Sequence, residues 1–281
     1  MTAASSSARK IVLVTGCSAG GIGFALGEEY AARGCKVYAT ARRLESMEGF
    51  KHPVEKLKLD VTDDENVREV VKTIVEREGK IDVLVNNAGV LCTGPVIDLS
   101  MEEIERAYDA NVFSVIRMCK AVIPHMAARK SGTIVNISSL QAQIPTPWAG
   151  IYASTKAALQ SLSETLYMEC IPLNISVVVA VTGAVRSNIT NNRLQAFAGL
   201  PEGSLYARYL PNILERTGLS QGPRSMPTAE YARRVVEQSL REKPPRELLL
   251  GGMTLLHRFM MWLPRTLVLH LLWRRFSRRY P

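Results

Sequence analysis

Tyr152 and Lys156 stand four residues apart in Tyr152-Ala153-Ser154-Thr155-Lys156, within a stretch whose apolar spacing predicts a helix over residues 152–170. On a helix, that spacing places both side chains on one face. A phenol is a poor acid or base at neutral pH, because its ordinary pKa is about 10. A neighbouring ammonium favours tyrosinate and moves the phenol toward the working range. Such a pair suits proton transfer to a carbonyl oxygen while a hydride arrives at the carbon. A serine-rich strand end, Asn136-Ile137-Ser138-Ser139, lies just ahead of it.

A second cluster is rich in glycine. The run Ile11-Val12-Leu13-Val14 leads into Thr15-Gly16-Cys17-Ser18-Ala19-Gly20-Gly21-Ile22-Gly23 and then into a helical pattern. Glycines let the backbone approach a pyrophosphate, and the helix N-terminus adds free N–H donors and partial positive charge. Gly16, Ser18, Gly21, Ile22 and Gly23 are the candidate contacts. After the next apolar run, Val37-Tyr38-Ala39-Thr40-Ala41-Arg42-Arg43, no acid appears until Glu45. A carboxylate there binds the ribose 2′-OH of NAD, whereas a cation accepts the 2′-phosphate of NADP. Arg42 is the candidate cation, since a guanidinium holds phosphate bidentately, and the cofactor expected is NADP(H).

The same turn contains Gly16-Cys17-Ser18-Ala19-Gly20, a match to the G-x-S-x-G nucleophile elbow of serine lipases and esterases. That chemistry needs a histidine brought to Ser18. Only His52, His125, His257 and His270 exist, in polar runs or in the arginine-rich tail. Ester hydrolysis through Ser18 is the alternative catalytic class. A non-catalytic NADPH-binding protein of membrane surfaces is a third reading.

The elements that must position these residues alternate in kind. Apolar runs at 11–14, 36–39, 57–59, 83–85, 133–137 and 175–181 are separated by helical patterns at 22–33, 63–78, 100–129 and 152–170. Such alternation predicts a single α/β domain, a doubly wound Rossmann-type parallel sheet with helices on both faces. Ligands of these sheets bind beyond the carboxyl ends of the strands, where the candidate residues fall. The expected organisation is a disordered lead-in over 1–9, a catalytic domain over 10–250, and a basic, apolar element over 251–281. An apolar lid at about 188–226 holds Leu194, Phe197, Leu200, Leu205, Tyr206, Tyr209, Leu210 and Ile213. That composition suits a hydrophobic substrate, or equally a helix packed on the domain.

The net charge of +9 is unevenly spread. Arg258, Arg265, Arg274, Arg275, Arg278 and Arg279 give the last 34 residues +6 with no acid, leaving +3 for the first 247. Residues 255–273 are rich in Leu, Met, Phe and Trp but are interrupted by His257, Arg258, Pro264, Arg265 and His270. A spanning helix needs about 20 apolar residues and pays heavily for a central arginine. An interfacial helix–Pro–helix element fits better, with Trp262 and Trp273 at headgroup level and arginines on anionic lipid. The alternative is a C-terminal helix packed on the domain or on a second copy. With no recognition motif elsewhere, nucleic acid is not an expected partner. Five scattered cysteines without CxxC spacing argue against a disulfide framework and against a metal site, and for a reducing compartment. With no hydrophobic leader over Met1–Lys10, an intracellular rather than secreted protein is expected. The sequons at Asn136, Asn174 and Asn188 then read as chance matches.

The glycine turn, Asn86-Asn87-Ala88-Gly89 and Tyr152 to Lys156, in this order, resemble the short-chain dehydrogenase/reductases. The resemblance runs from Lys10 to about Leu250. It implies that Ser139 hydrogen-bonds the substrate carbonyl, that Tyr152 is the general acid, that Lys156 tunes it and grips the ribose, and that Asn111 holds a relay water. It also implies that Asp60 and Val61 flank the adenine, and that Asn87, Ala88 and Gly89 pack under the ribose. Val185 and Ser187, in Thr182-Gly183-Ala184-Val185-Arg186-Ser187, would contact the nicotinamide. Two departures are visible: four residues rather than three separate Gly16 from Gly21, and Thr182 stands where the pattern has proline. Within the family, the glycine turn, Arg42 and the basic apolar tail look like the fungal NADPH-dependent 1-acyldihydroxyacetone-phosphate reductases. That implies reduction of an acylated dihydroxyacetone phosphate to lysophosphatidate at the cytoplasmic face of endoplasmic reticulum or on lipid droplets. Steroid or retinoid dehydrogenases share the core and are the closest rival. A homodimer or homotetramer is expected by family analogy, through the helices at 100–129 and 152–170.

Overall fold

A computed structural model describes residues 9–195 and 197–278. The expected lead-in therefore lies almost wholly outside the described residues, as does Arg279. The β-branched runs become seven strands: β1 (Ile11–Thr15), β2 (Lys36–Ala41), β3 (Glu55–Lys58), β4 (Val83–Asn86), β5 (Gly132–Ile137), β6 (Ile175–Thr182) and β7 (Glu247–Leu250). All pair in parallel in the order β3-β2-β1-β4-β5-β6-β7. The chain leaves the centre in both directions from β1 and β4, so the crevice between them is the switch point at which such sheets bind ligands.

The helices are α1 (Ile22–Ala32), α2 (Asp64–Glu78), α3 (Met101–Tyr108), α4 (Ser114–Ala128), α5 (Gly150–Cys170), α6 (Ile189–Gln195), α7 (Leu210–Thr217), α8 (Thr228–Ser239), α9 (Thr254–Trp262) and α10 (Arg265–Phe276). Strands β1, β4 and β6 are buried along nearly their whole length, as two-faced packing requires. One layer joins Leu26 and Tyr30 of α1 to Tyr231, Val235 and Val236 of α8. The other joins Val67, Val71 and Ile74 of α2 to Met118 and Val122 of α4 and Leu159 of α5. Asp63 caps α2, accepting from the amides of Glu65 and Asn66, and Gly79 ends that helix in the left-handed conformation.

Three features depart from the sequence pattern. The helix expected over 100–129 contains a π turn at Asp109–Phe113, with helical backbone running on through it from α3 into α4. Strand β7 is absent from the runs read in the sequence, and it forms one sheet edge, paired with β6. A third, separate apolar cluster lies beyond the carboxyl edge of the sheet. It unites Ile144 and Trp148 with Tyr209 and Ile213 of the 188–226 segment and with Val268, Leu272 and Phe276 of α10. The tail is thus a helix–Pro–helix element with one stripe of α10 packed on Tyr209 and Ile213. Among the described residues no helix is long and apolar enough to cross a membrane.

Candidate active site

Ser139, Tyr152 and Lys156 converge at the carboxyl end of β5, and all three are buried. Tyr152 and Lys156 occupy the first two turns of α5, which starts at Gly150, two residues before the helix the pattern predicts. The Lys156 ammonium donates to the Ile137 carbonyl at the tip of β5, 2.9 Å away, and lies 5.8 Å from the centre of the Tyr152 ring. Ser139 follows immediately, its Oγ accepting from the Gln141 amide at 3.2 Å. Ser138 instead continues the strand, its amide donating to the Ala180 carbonyl.

Asn111 sits in the π turn, a local widening frequent at functional sites. Its Oδ1 accepts from the Val90 amide at 2.8 Å, and its Nδ2 donates to the Val90 carbonyl and to Thr155 Oγ1, each at 3.0 Å. Thr155 lies between Tyr152 and Lys156, so Asn111 fastens the loop after β4 to the catalytic helix. Gly89 fills the remaining gap. A Cβ there would stand 2.8 Å from Asn111 Oδ1, so only glycine fits.

Burial pushes the Tyr152 phenol up, while the Ser139 hydroxyl and the positive charge of Arg216 pull it the other way. Burial also brings the Lys156 ammonium down to about 8. The sequence reading assigns the tuning of Tyr152 to Lys156. In the structure Arg216 is a second cation whose charge reaches the phenol, beside Lys156, which is itself desolvated and turned to Ile137.

The glycine turn has the shape a pyrophosphate needs. Gly16 takes φ +73°, and a Cβ on it would approach Ala88 Cα to 2.8 Å. A Cβ on Gly23 would collide with the Gly16 carbonyl and the Asn87 amide. That Asn87 amide donates to the carbonyls of Thr15 and Gly16 at 2.8 and 3.0 Å, and the Ala88 N–H donates to Thr15 Oγ1 at 3.0 Å. Gly20, absent from the expected contacts, also takes φ +73°, and Asn188 closes on it with its backbone N–H to the Gly20 carbonyl. Gly21 precedes Ile22, the first residue of α1, so the extra residue of the turn is absorbed before the helix begins. Arg42 is exposed just past β2, and its charge reaches Asp60. Burial works to raise Asp60, but hydrogen bonds from Thr62 together with Arg42 and Arg117 hold it below the usual carboxylate value. Val61 follows it, half-buried. These residues fit a 2′-phosphorylated dinucleotide: a backbone cradle, a helix N-terminus and a cation at the second strand.

Val185 and Ser187 are buried in the loop after β6, bridged to Met226 and to Gln221 respectively. Thr182, in the place of the pattern's proline, uses its hydroxyl to bond the buried Tyr231 hydroxyl. Ser18 does not form a hydrolytic centre. Its hydroxyl pairs with that of Ser46 at 3.1 Å, and among the described residues no histidine bonds it. The elbow match is a by-product of the glycine turn.

Arg216, Thr146 and Trp148 are functional candidates that spacing did not reveal. Arg216 is one of 35 basic residues, and only the packing of α7 over the loop before α5 separates it from the others.

Residues 10–197 match the family described as short chain dehydrogenase. The chain is 42% identical over 212 residues to an NADPH-dependent 1-acyldihydroxyacetone phosphate reductase of Schizosaccharomyces pombe, covering 74% of this chain and 71% of that one. It is 33% identical over 272 residues to the protein of the same name from Saccharomyces cerevisiae, covering 93% and 89%. A solved short-chain dehydrogenase from Streptomyces avermitilis superposes with a TM-score of 0.79 at 33% identity, covering 98% of this chain and all of that one. With a glycine cradle at β1, a Ser–Tyr–Lys set at β5 and these likenesses, the chain belongs to the short-chain dehydrogenase/reductase family of oxidoreductases.

Proposed function

We propose that the protein reduces a lipid ketone with NADPH, that its substrate is 1-acyldihydroxyacetone phosphate, giving 1-acylglycerol 3-phosphate, and that it works at an anionic membrane or lipid-droplet surface. The observation that carries this reading is that the segment from Ser139 to Tyr152 also supplies Ile144 and Trp148 to the apolar cluster with Tyr209, Ile213 and α10. Two yeast relatives bear that activity in their names, while others are named only as short-chain dehydrogenases. The outer faces of α9 and α10 expose Leu255, Phe259, Trp262 and Leu271 beside Arg258, Arg265 and Arg274, a combination suited to a lipid headgroup layer.

The cofactor is NADP(H), held by the Gly16–Gly23 turn, Arg42, the Asp60 and Asn87 loops and the Val185–Ser187 loop. When bound, NADPH supplies the hydride to the carbonyl carbon. Tyr152, kept protonated by burial, gives its phenolic proton to the carbonyl oxygen. The Ser139 hydroxyl donates to the same oxygen and stabilises the charge that develops there. Lys156, anchored on Ile137, sets a cation next to the phenol, and Asn111 fixes the intervening Thr155.

NADPH oxidation over a panel of 1-acyldihydroxyacetone phosphate, a steroid ketone and retinal tests the reading. The acylated phosphate is expected to turn over fastest, with Tyr152→Phe lowering the rate roughly 10²-fold or more. Undiminished turnover in Tyr152→Phe overturns the mechanism. Preference for the steroid or retinal overturns the substrate.

A further inference from the structure

Arg216 is an unusual residue to find where it lies. It projects from α7 into the third apolar cluster and keeps only 8% of its surface exposed. Its Nε donates to Thr146 Oγ1 at 2.6 Å, and its guanidinium lies over the Phe276 ring, 5.6 Å from the centroid. No carboxylate among the described residues pairs with it. Its neighbour Glu215 bonds Arg275, whose guanidinium lies 5.4 Å from the Phe276 ring centroid. Nη1 and Nη2 of Arg216 have no hydrogen-bond partner among the described residues, yet neither is sealed away from open space.

Burying a cation without a counter-charge is costly, and one hydroxyl with one ring face offsets little of it. A guanidinium fork with both terminal nitrogens unengaged is the geometry that accepts two oxygens of a phosphate or carboxylate. Its place relative to the chemistry is fixed by a short chain of contacts. Arg216 holds Thr146, Thr146 reaches Gln141 Oε1 at 3.4 Å, and the Gln141 amide donates to Ser139 Oγ. The positive charge is also close enough to act on the Tyr152 phenol.

We propose that Arg216 is the anion-recognition residue of the substrate pocket, its Nη1 and Nη2 taking the phosphate monoester of the lipid ketone while the carbonyl lies at Ser139 and Tyr152. This rests on the reductase reading above and names the group that selects its substrate. Phe276 roofs the guanidinium, so the C-terminal helix completes the phosphate end of the pocket.

The test compares wild type, Arg216→Gln and Arg216→Lys on 1-acyldihydroxyacetone phosphate and on the same acyl-dihydroxyacetone without phosphate. In parallel, lysophosphatidate and monoacylglycerol are titrated against the NADP⁺-loaded enzyme, with tryptophan fluorescence as readout. Wild type is expected to favour the phosphorylated member of each pair. Arg216→Gln is expected to lose about 10- to 100-fold in affinity for that member and less than about twofold for the neutral one. Arg216→Lys, a cation without the fork, is expected to fall between, and it decides the matter should the glutamine variant fail to fold. Parallel loss of affinity for both members, or an unchanged preference in the variants, marks a structural staple and overturns the assignment. Equal wild-type affinity for both members overturns it too, while leaving the reductase reading in place. If wild type reduces neither ketone, that reading falls, and the titrations still decide Arg216.

Discussion

Lys156 sets a pH limit on the reaction. Burial lowers its ammonium from the ordinary 10.5 to about 8, whereas burial pushes the Tyr152 phenol up. As the pH rises through about 8, the site loses the Lys156 cation while Tyr152 is still protonated. The kcat/KM for ketone reduction is therefore expected to fall on the alkaline side near pH 8. Arg in place of Lys156 stays charged, so Lys156→Arg should lower the rate but move the alkaline fall upward. An unmoved fall in the variant would assign it to another group. The same shift has a stability sign. Between about 8 and 10.5 the native chain has released a proton that the unfolded chain still holds, so this group makes folding more favourable as pH rises through that window. The Tyr–Lys spacing was legible because four residues on a helix define a face. The second cation beside the phenol was not, because Arg216 reaches it from another helix 60 positions further along.

Elements rather than single residues decide how the pocket is closed. The π turn at Asp109–Phe113 widens the expected helix without ending it, and it places Asn111 against Val90 and Thr155. Apolar periodicity cannot signal it, since one inserted residue leaves the pattern on either side intact. On α10, Val268, Leu272 and Phe276 recur every four residues and pack on Trp148, Tyr209 and Ile213. The Trp148 indole N–H donates to the Phe276 carbonyl at 3.2 Å. This cluster is separate from the two layers that flank the sheet, so its loss should be local. Phe276→Ala, a truncation that in a packed core costs about 3–5 kcal/mol, is expected to abolish hydrogen-exchange protection of residues 265–276 while leaving that of β1, β4 and β5 intact. A uniform loss across the sheet would show that α10 is part of the global folding unit. Within residues 188–226 the apolar side chains divide between inside and outside. Tyr209 and Ile213 pack inward, while Leu194 and Leu205 are exposed.

At the scale of the molecule, charge and apolar surface coincide at one end. Trp262 is 89% exposed and Leu255 81%, next to arginines of α9 and α10. Each arginine near an anionic surface adds about 1 kcal/mol of attraction, and this attraction is screened by salt. Vesicles containing phosphatidylserine are therefore expected to retain the protein in flotation, more weakly at high salt, and pure phosphatidylcholine vesicles to retain much less. Trp262→Glu should weaken retention without changing NADPH binding. Equal retention on both vesicle types would overturn the role of the arginines. Because the inner stripe of α10 covers Arg216, the face proposed for lipid and the pocket proposed for the lipid's headgroup are two sides of one element.

Ser139 was implied only by the family resemblance, whereas the alternation of strands and helices over residues 10–181, the glycine turn and the Tyr152–Lys156 pair were readable from the chain alone. Each depends on local spacing: a period of two or 3.6, a glycine where the backbone must come close, or four residues to a helical face. Tertiary structure alone decided the π turn at Asn111, the fourth-residue stripe that folds the tail onto Tyr209 and Ile213, and the separation of Arg216 from 34 other basic residues. Burial and the absence of a carboxylate partner are properties of a place in space, and no run of neighbouring residues encodes them. The excess of six arginines in the tail said that the protein has a basic end. Packing determined which face of that end is turned to the pocket and which to solvent.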